Sequence, residues 1–315
     1  MVRTRQRITI LVMTHAPPPL RAHSLACLAA CALLACARPA AAPAEGPPVD
    51  RLELRVASFN AWLLPFASRD LGDRLDRMPA AIDALAPDVL CLQEAWFPFQ
   101  RDDLEAGLEH RLPYASYGGG GVALLSRFPI VEERFHAFAD DEALSITERM
   151  GGKGVFEVVL RTPAGPLRVL DTHLALDRGA GGGHARQLDQ LRGHLGARPE
   201  LPTVLCADLN MRATEAGALV PGYAALLAAG YTDTIAPVKQ PDGAFAQRPT
   251  TRVGWPRAER RGRGWSPDFV LFRGAAAGGP ALTLLGARVT LDTAETALSD
   301  HNLLLADLAL GTPAP

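Results

Sequence analysis

The sequence predicts an α/β sandwich in which two mixed β-sheets pack face to face and helices cover their outer surfaces. Three observations carry that expectation. At least five apolar runs with strand character end or begin on an Asn, Glu, His or Asp. Amphipathic stretches lie between some of these runs, whereas other consecutive runs have connections too short for a crossover helix. Asn60, Glu94, His173 and Asp208 close their runs, while Asp268 and Asp300-His301 open theirs. If these groups share one site, the last two strands run opposite to some earlier ones, and the sheets are mixed. A doubly wound parallel sheet is the alternative, and the short connections weigh against it.

Taken in order, Leu52 to Phe59 alternates in part and reads as a strand ending on Asn60. Leu71, Leu75, Met78, Ile82 and Leu85 recur at helical spacing; Pro79 weighs against the first half of that helix, and Pro87-Asp88 stops it. Val89 to Leu92 is a short buried strand ending on Gln93-Glu94. Asp102 to Leu112 reads as a helix with Leu104 and Leu108 at i, i+4. Gly118 to Gly121 is a flexible run leading into the strand Val122 to Ser126, and Phe128-Pro129-Ile130 opens the next extended piece. Val155 to Leu160 and Leu167 to Asp171 form two strands around the turn Thr162-Pro163-Ala164-Gly165, with Thr172-His173 closing the second.

Leu188, Leu191 and Leu195 mark another helix. Thr203 to Asp208 is a strand whose end puts Asp208 and Asn210 on one face and Leu209 on the other. Alone, that pair is equally an Asx turn closing a strand. Tyr223 to Ala229 is a short helix. From Ala236 to Trp265 the chain is loop-like, and Arg252, Arg257, Arg260, Arg261 and Arg263 read there as a solvated basic loop. Asp268 opens Phe269 to Phe272, and Asp300-His301 opens Leu303 to Leu305 and the final strand.

The chain has 315 residues, 48% hydrophobic and 21% charged, which suits a soluble globular domain with no long disordered tail. Its net charge of −2 gives no overall cationic excess for nucleic acid, a weak argument since one face can still be basic. Residues 1–36 combine Arg3, Arg5, Arg7 and Arg21 with an apolar core from Leu25 to Ala37, as a secretory signal does, with Met13 an alternative start. A Pro/Ala-rich linker over 37–50 follows, and 51–315 is the folded domain. Leu33-Leu34-Ala35-Cys36 resembles a bacterial lipobox, which would anchor the exported chain through Cys36; Leu28-Ala29-Ala30-Cys31 fits the same pattern after a shorter apolar core. Cleavage near Ala40 to Ala42, giving a freely secreted or periplasmic protein, stands beside it. Cys91 and Cys206 remain in the domain, inside apolar strand runs, and their pairing is a question of geometry.

Seven segments, in order, resemble the endonuclease/exonuclease/phosphatase superfamily of metal-dependent phosphodiesterases. They are Ser58-Phe59-Asn60, Leu92-Gln93-Glu94, Gly121 to Ile130, Asp171-Thr172-His173-Leu174, Ala207-Asp208-Leu209-Asn210, Ser266-Pro267-Asp268-Phe269-Val270 and Ser299-Asp300-His301. Together they span roughly Arg51 to Leu310. The resemblance implies a four-layer sandwich and phosphodiester hydrolysis. Gly151-Gly152-Lys153-Gly154-Val155 and Thr172-His173-Leu174 are similar to the neutral sphingomyelinase branch, from which the chain departs at Ala175, usually glutamine there. No counterpart of the aromatic hairpin of secreted bacterial sphingomyelinases is visible.

A phosphodiester repels hydroxide, so its hydrolysis calls for a cation, an activated water and stabilisation of developing charge. Glu94 is a hard oxygen ligand, with Asn60 and Asp300 as companions, and the scarcity of Cys and His ligands favours Mg²⁺ over softer metals; Mn²⁺ or Ca²⁺ could replace it. His301 suits a general base because imidazole titrates near neutrality. By resemblance Asp268 orients it, Asp208 and Asn210 position water and a phosphoryl oxygen, and His173 donates to the phosphate or assists the leaving group. Trp62, Phe66, Trp96 and Phe97 follow Asn60 and Glu94 closely, where exposed aromatics would meet a lipid surface. Packing beneath the loops is their other reading. The expected substrate is a phospholipid headgroup ester. A secreted nuclease and a catalytically silent binding module are the alternatives.

Overall fold

The computed structural model describes residues 48–65, 67–139, 142–176, 182–251, 265–276 and 278–311. The expected signal with Cys36, Phe66 and the arginine cluster from Arg252 to Arg263 lie outside them. In β1 (Arg51–Asn60), Leu54 and Val56 face one side, Ala57 and Phe59 the other. β2 (Val89–Gln93) divides in the same way, with Val89 and Cys91 opposite Leu90 and Leu92. This period of two makes each strand apolar on both faces and fixes the sheets as inner layers.

The helices are α1 (Leu71–Leu85), α2 (Pro98–Leu108), α3 (Ile146–Met150), α4 (Gly183–Gly196) and α5 (Pro221–Ala228). The remaining strands of the first sheet are β3 (Tyr114–Tyr117), β4 (Ala123–Ser126), β15 (Ala281–Thr290) and β16 (Leu303–Gly311), in the order β15-β16-β1-β2-β4-β3. The second sheet has β5 (Ile130–Ala137), β6 (Gly154–Thr162), β7 (Gly165–His173), β8 (Thr203–Asp208), β11 (Thr232–Asp233) and β14 (Asp268–Arg273), in the order β11-β14-β8-β7-β6-β5. Two small ribbons, β9 (Thr214–Glu215) with β10 (Ala218–Leu219) and β12 (Val238–Lys239) with β13 (Phe245–Ala246), decorate the loops. Within the large sheets β1 pairs with β2, and β7 with β8, in parallel; β16 runs antiparallel to β1 and β14 antiparallel to β8. The sheets are therefore mixed, with the last strands reversed as expected.

One core lies between the sheets and contains Val56, Val89, Val169, Val204 and Val270, together with Leu304, Ala306 and Leu308 of β16. A second core joins the first sheet to α1 and α2 through Leu75, Met78, Ile82, Leu104 and Leu108, and a third joins the second sheet to α4 and α5 through Leu188, Leu191, Leu195 and Leu226. The result is four layers, helices outside and sheets inside. No helix among the described residues is long and apolar enough to cross a membrane.

Local expectations hold with some differences. α1 runs unbroken through Pro79, whose cost of about 3 kcal/mol in a helix interior is offset by tertiary packing. Gly107 of α2 allows that packing, since a Cβ there would lie 2.5 Å from the Pro79 Cβ. α2 begins at Pro98, not Asp102, because proline suits the first helical turn and the Gln100 side chain accepts the Phe97 N–H at 3.1 Å. The ten-residue β15 is an edge strand paired, among the described residues, only with β16, and its half-exposed pattern left no clear strand signal. Cys91 and Cys206 are free, buried thiols in the inter-sheet core.

Candidate active site

The site continues the inter-sheet rows past the apolar core. On β1, β2, β7 and β8 the inward positions run Val56-Ser58-Asn60, Val89-Cys91-Gln93, Val169-Asp171-His173 and Val204-Cys206-Asp208. Register places His173 beside Asp208 and Asp208 beside Asp268, while Asn60 lies beside Gln93. A polar layer thus caps a mixed layer, which caps hydrocarbon. In the mixed layer Gln93 Nε2 donates to Asp171 Oδ1 at 2.7 Å across the two sheets, and burial pushes the Asp171 carboxyl well above the usual range.

At one side of the polar layer, His301 Nδ1 lies 2.9 and 3.1 Å from the two Asp268 oxygens. Thr250 Oγ1 donates to Asp268 Oδ2 at 2.5 Å, and His301 Nε2 lies 3.9 Å from Asp208 Oδ2. Burial opposes the imidazolium of His301, but the charge and hydrogen bond of Asp268, with Asp208 and Asp300 adding, hold its pKa well above the ordinary value. Burial raises Asp208 to about 6 against the pull of His301. Asp208, Asp268 and His301 form the tightest acid and histidine cluster among the described residues. Because Asp268 and His301 Nδ1 are engaged with each other, that cluster reads as a hydrogen-bonded pair beside Asp208.

Opposite, Asn60 Nδ2 donates to Glu94 Oε1 at 3.1 Å and to Asp208 Oδ2 at 2.8 Å, while its Oδ1 accepts the Trp62 N–H at 3.0 Å. Burial raises Glu94 despite the Asn60 hydrogen bond, and Asp208 and Asp300 push the same way. Asp300 Oδ1 is buried without a hydrogen-bond partner among the described residues. Two carboxylates in mutual repulsion, one with an orphaned oxygen, are hard donors that fit a divalent cation such as Mg²⁺. Asn60 has its oxygen turned to the backbone, so it would ligate only through its second lone pair.

His173 Nε2 lies 3.0 Å from Asn210 Nδ2 and 3.5 Å from Asp208 Oδ2. Burial, then the charges of Lys153 and His301, hold it well below the ordinary histidine value, so the ring is neutral. The Asx turn is also present, with Asn210 N donating to Asp208 Oδ1 at 2.9 Å. Asn210 and Glu94 adopt positive φ, 46° and 59°, conformations that non-glycine residues hold at a cost and that cluster at functional sites.

Glu94, His173, Asp208, Asn210, Asp300 and His301 line a cleft of about 410 Å³ together with Trp62, Trp96, Trp265 and Lys153, with Asn60 and Asp268 behind them. Trp62 and Trp96 are half-buried walls and not outer-face aromatics, because Trp62 stacks under the Arg74 guanidinium and Trp96 packs against Gly121. Phe97 and Phe99 are exposed and stacked on each other. Sequence reasoning missed Thr250, Gln93 and Arg74, and gave Lys153 no role although its glycine-flanked segment marked it. Lys153 Nζ is buried, 2.8 Å from the Leu174 carbonyl and 2.9 Å from Glu148 Oε2.

The sequence profile described as Endonuclease/Exonuclease/phosphatase family matches residues 57–301. The inositol phosphosphingolipids phospholipase C of Schizosaccharomyces pombe is 30% identical over 138 residues, 41% of this chain and 32% of that protein. Sphingomyelin phosphodiesterase 2 of Mus musculus is 27% identical over 187 residues, 53% of this chain and 43% of that protein. The match therefore spans less than half the length of either relative. Among solved structures, sphingomyelinase C from Streptomyces griseocarneus superposes with a TM-score of 0.59 at 23% identity, covering 81% of this chain and 99% of that one.

Proposed function

Because the chain belongs to the Endonuclease/Exonuclease/phosphatase family, we propose that it is a divalent-cation-dependent hydrolase of a lipid phosphodiester, with a sphingolipid as substrate. The observation that carries this reading is the His301–Asp268 pair opening on the same cleft as Glu94 and Asp300. Glu94 and Asp300, with Asn60, would hold Mg²⁺, which supplies phosphoryl polarisation and offsets the carboxylate charge that raises His301. Asp268 holds Nδ1 of His301 and leaves Nε2 to take a proton from water. The water oxygen bonds to phosphorus as the phosphorus–oxygen bond to the leaving group breaks. Asp208 and Asn210 orient the water and a phosphoryl oxygen. His173, kept neutral, borders the cleft and accepts the Asn210 amide at Nε2, and Lys153 adds positive charge nearby.

The lipid part of the proposal is supported by the named relatives and by Leu64, Phe97 and Phe99, exposed near the cleft. We propose that these residues touch the membrane, and that the chain is exported, anchored at Cys36 or freely secreted. Palmitate labelling of the wild type and Cys36→Ala separates those two fates. The purified domain should be assayed on sphingomyelin, phosphatidylinositol and DNA, with Mg²⁺, Mn²⁺, Ca²⁺ or chelator. Sphingomyelin turnover abolished by chelator is expected. Faster DNA cleavage would make it a nuclease, and no turnover even of an aryl phosphodiester would leave a binding module.

A further inference from the structure

Arg74 lies on the apolar face of α1 and is 1% exposed. Its Nη1 donates to the carbonyls of Ala61 at 2.9 Å and Leu298 at 2.7 Å, its Nη2 to Trp62 at 2.7 Å and its Nε to Arg69 at 2.8 Å. Ala61 and Trp62 follow Asn60, and Leu298 precedes Ser299-Asp300-His301. One planar fork thus joins the two segments that carry Asn60 and Asp300. Ser299 Oγ adds a parallel tie, donating to the Asn60 carbonyl at 2.8 Å and accepting the His301 N–H at 3.1 Å. Trp62 has φ 47°, an unfavourable conformation for a non-glycine residue, and in it the Trp62 N–H reaches Asn60 Oδ1. That contact turns the Asn60 amide nitrogen toward Glu94 and Asp208.

We infer that Arg74 is a positioning residue whose guanidinium fork locks the Trp62 turn to the Leu298 segment and so presets Asn60, Glu94 and Asp300 for a divalent cation. The inference rests on the reading that these groups hold the cation. Geometry and charge act in opposite directions here. A fixed positive charge near Glu94 and Asp300 repels a cation, whereas ordering their segments favours it.

The two are separated by measuring melting temperature against Mg²⁺ concentration for the wild type, Arg74→Lys and Arg74→Gln. Lysine keeps the charge but, with its donors on a single nitrogen, cannot reproduce the four carbonyl contacts that the fork makes from three. Both variants should need about tenfold more Mg²⁺ for the half-maximal shift, within the range typical of outer-shell partners. Ser299→Ala should move it in the same direction, and serves if the Arg74 variants do not fold. Met78→Ala, in the same helix, should lower the melting temperature without moving the Mg²⁺ midpoint. An unchanged midpoint in Arg74→Lys, tighter binding in Arg74→Gln, or an equal change in Met78→Ala would overturn the inference. A wild type with no Mg²⁺-dependent shift would remove the cation reading and this one with it.

Discussion

Replacing Asp268 with Asn tests the proton path at a single atom. In the native site both carboxylate oxygens are used, Oδ1 toward His301 Nδ1 and Oδ2 by the Thr250 hydroxyl. An asparagine has one oxygen, and Thr250 claims it. The amide nitrogen then faces His301 and donates to Nδ1, which forces the imidazole proton onto Nε2 and removes the lone pair that would accept the water proton. The same tautomer error in a serine protease triad costs about 10⁴ in kcat, so about 10³–10⁴ is expected here, roughly 4–5.5 kcal/mol. His301→Ala should lose as much, and the double variant little more, because the residues act as a unit. The assay is turnover of a soluble aryl phosphodiester, with melting temperature as the check on folding. A loss under tenfold in Asp268→Asn, or fully additive losses in the double variant, would refute the pairing.

Glu94→Ala should raise the Mg²⁺ needed for half-maximal turnover by more than the roughly 10–100-fold typical of outer-shell partners, with part of the rate recovered at high Mg²⁺; an unchanged Mg²⁺ dependence would remove Glu94 from the site. Phe97 and Phe99 are 42% and 53% exposed, so burying the exposed part in a membrane is worth about 1 kcal/mol each, and changing both to serine should weaken vesicle binding roughly 30-fold while sparing a soluble substrate. Burial and then His136 hold His194 below its ordinary value, so the folded state binds fewer protons there than the unfolded state. That contribution is present above the unfolded value of about 6.5 and is lost as pH falls below it. His194→Gln should therefore lose less stability than the wild type between about pH 7.5 and 5.5, measured by urea denaturation, although His301 acts in the opposite sense in both chains.

Much of the fold was legible because burial on both faces leaves a compositional trace. Val89 to Leu92 and Thr203 to Asp208 are apolar over most of their length, bounded by turn residues, and both are central strands. β15 was not legible, since an edge strand with one partner keeps exposed positions among its apolar ones. The start of α2 was misplaced because Trp96-Phe97-Pro98-Phe99 looks like an aromatic loop, and only the Gln100 cap shows that the helix begins there.

The site divides along the same physical line. Asn60, His173 and Asp208 extend a row of alternating side chains by one step, so the strand pattern alone tells where they lie. Their supports come from elsewhere: Thr250 from a loop, Lys153 from the turn after α3, and Arg74 from a helix. Of these, Arg74 alone left a periodic signal, a charge beside Leu75 in the stripe that also holds Leu71, Met78 and Ile82. A charge on the buried stripe must find partners or destabilise the helix, and here the partners are backbone carbonyls of the segments that carry the site. An ionisable residue out of place in an amphipathic pattern therefore points past its own helix, to whichever loops have carbonyls left to satisfy it.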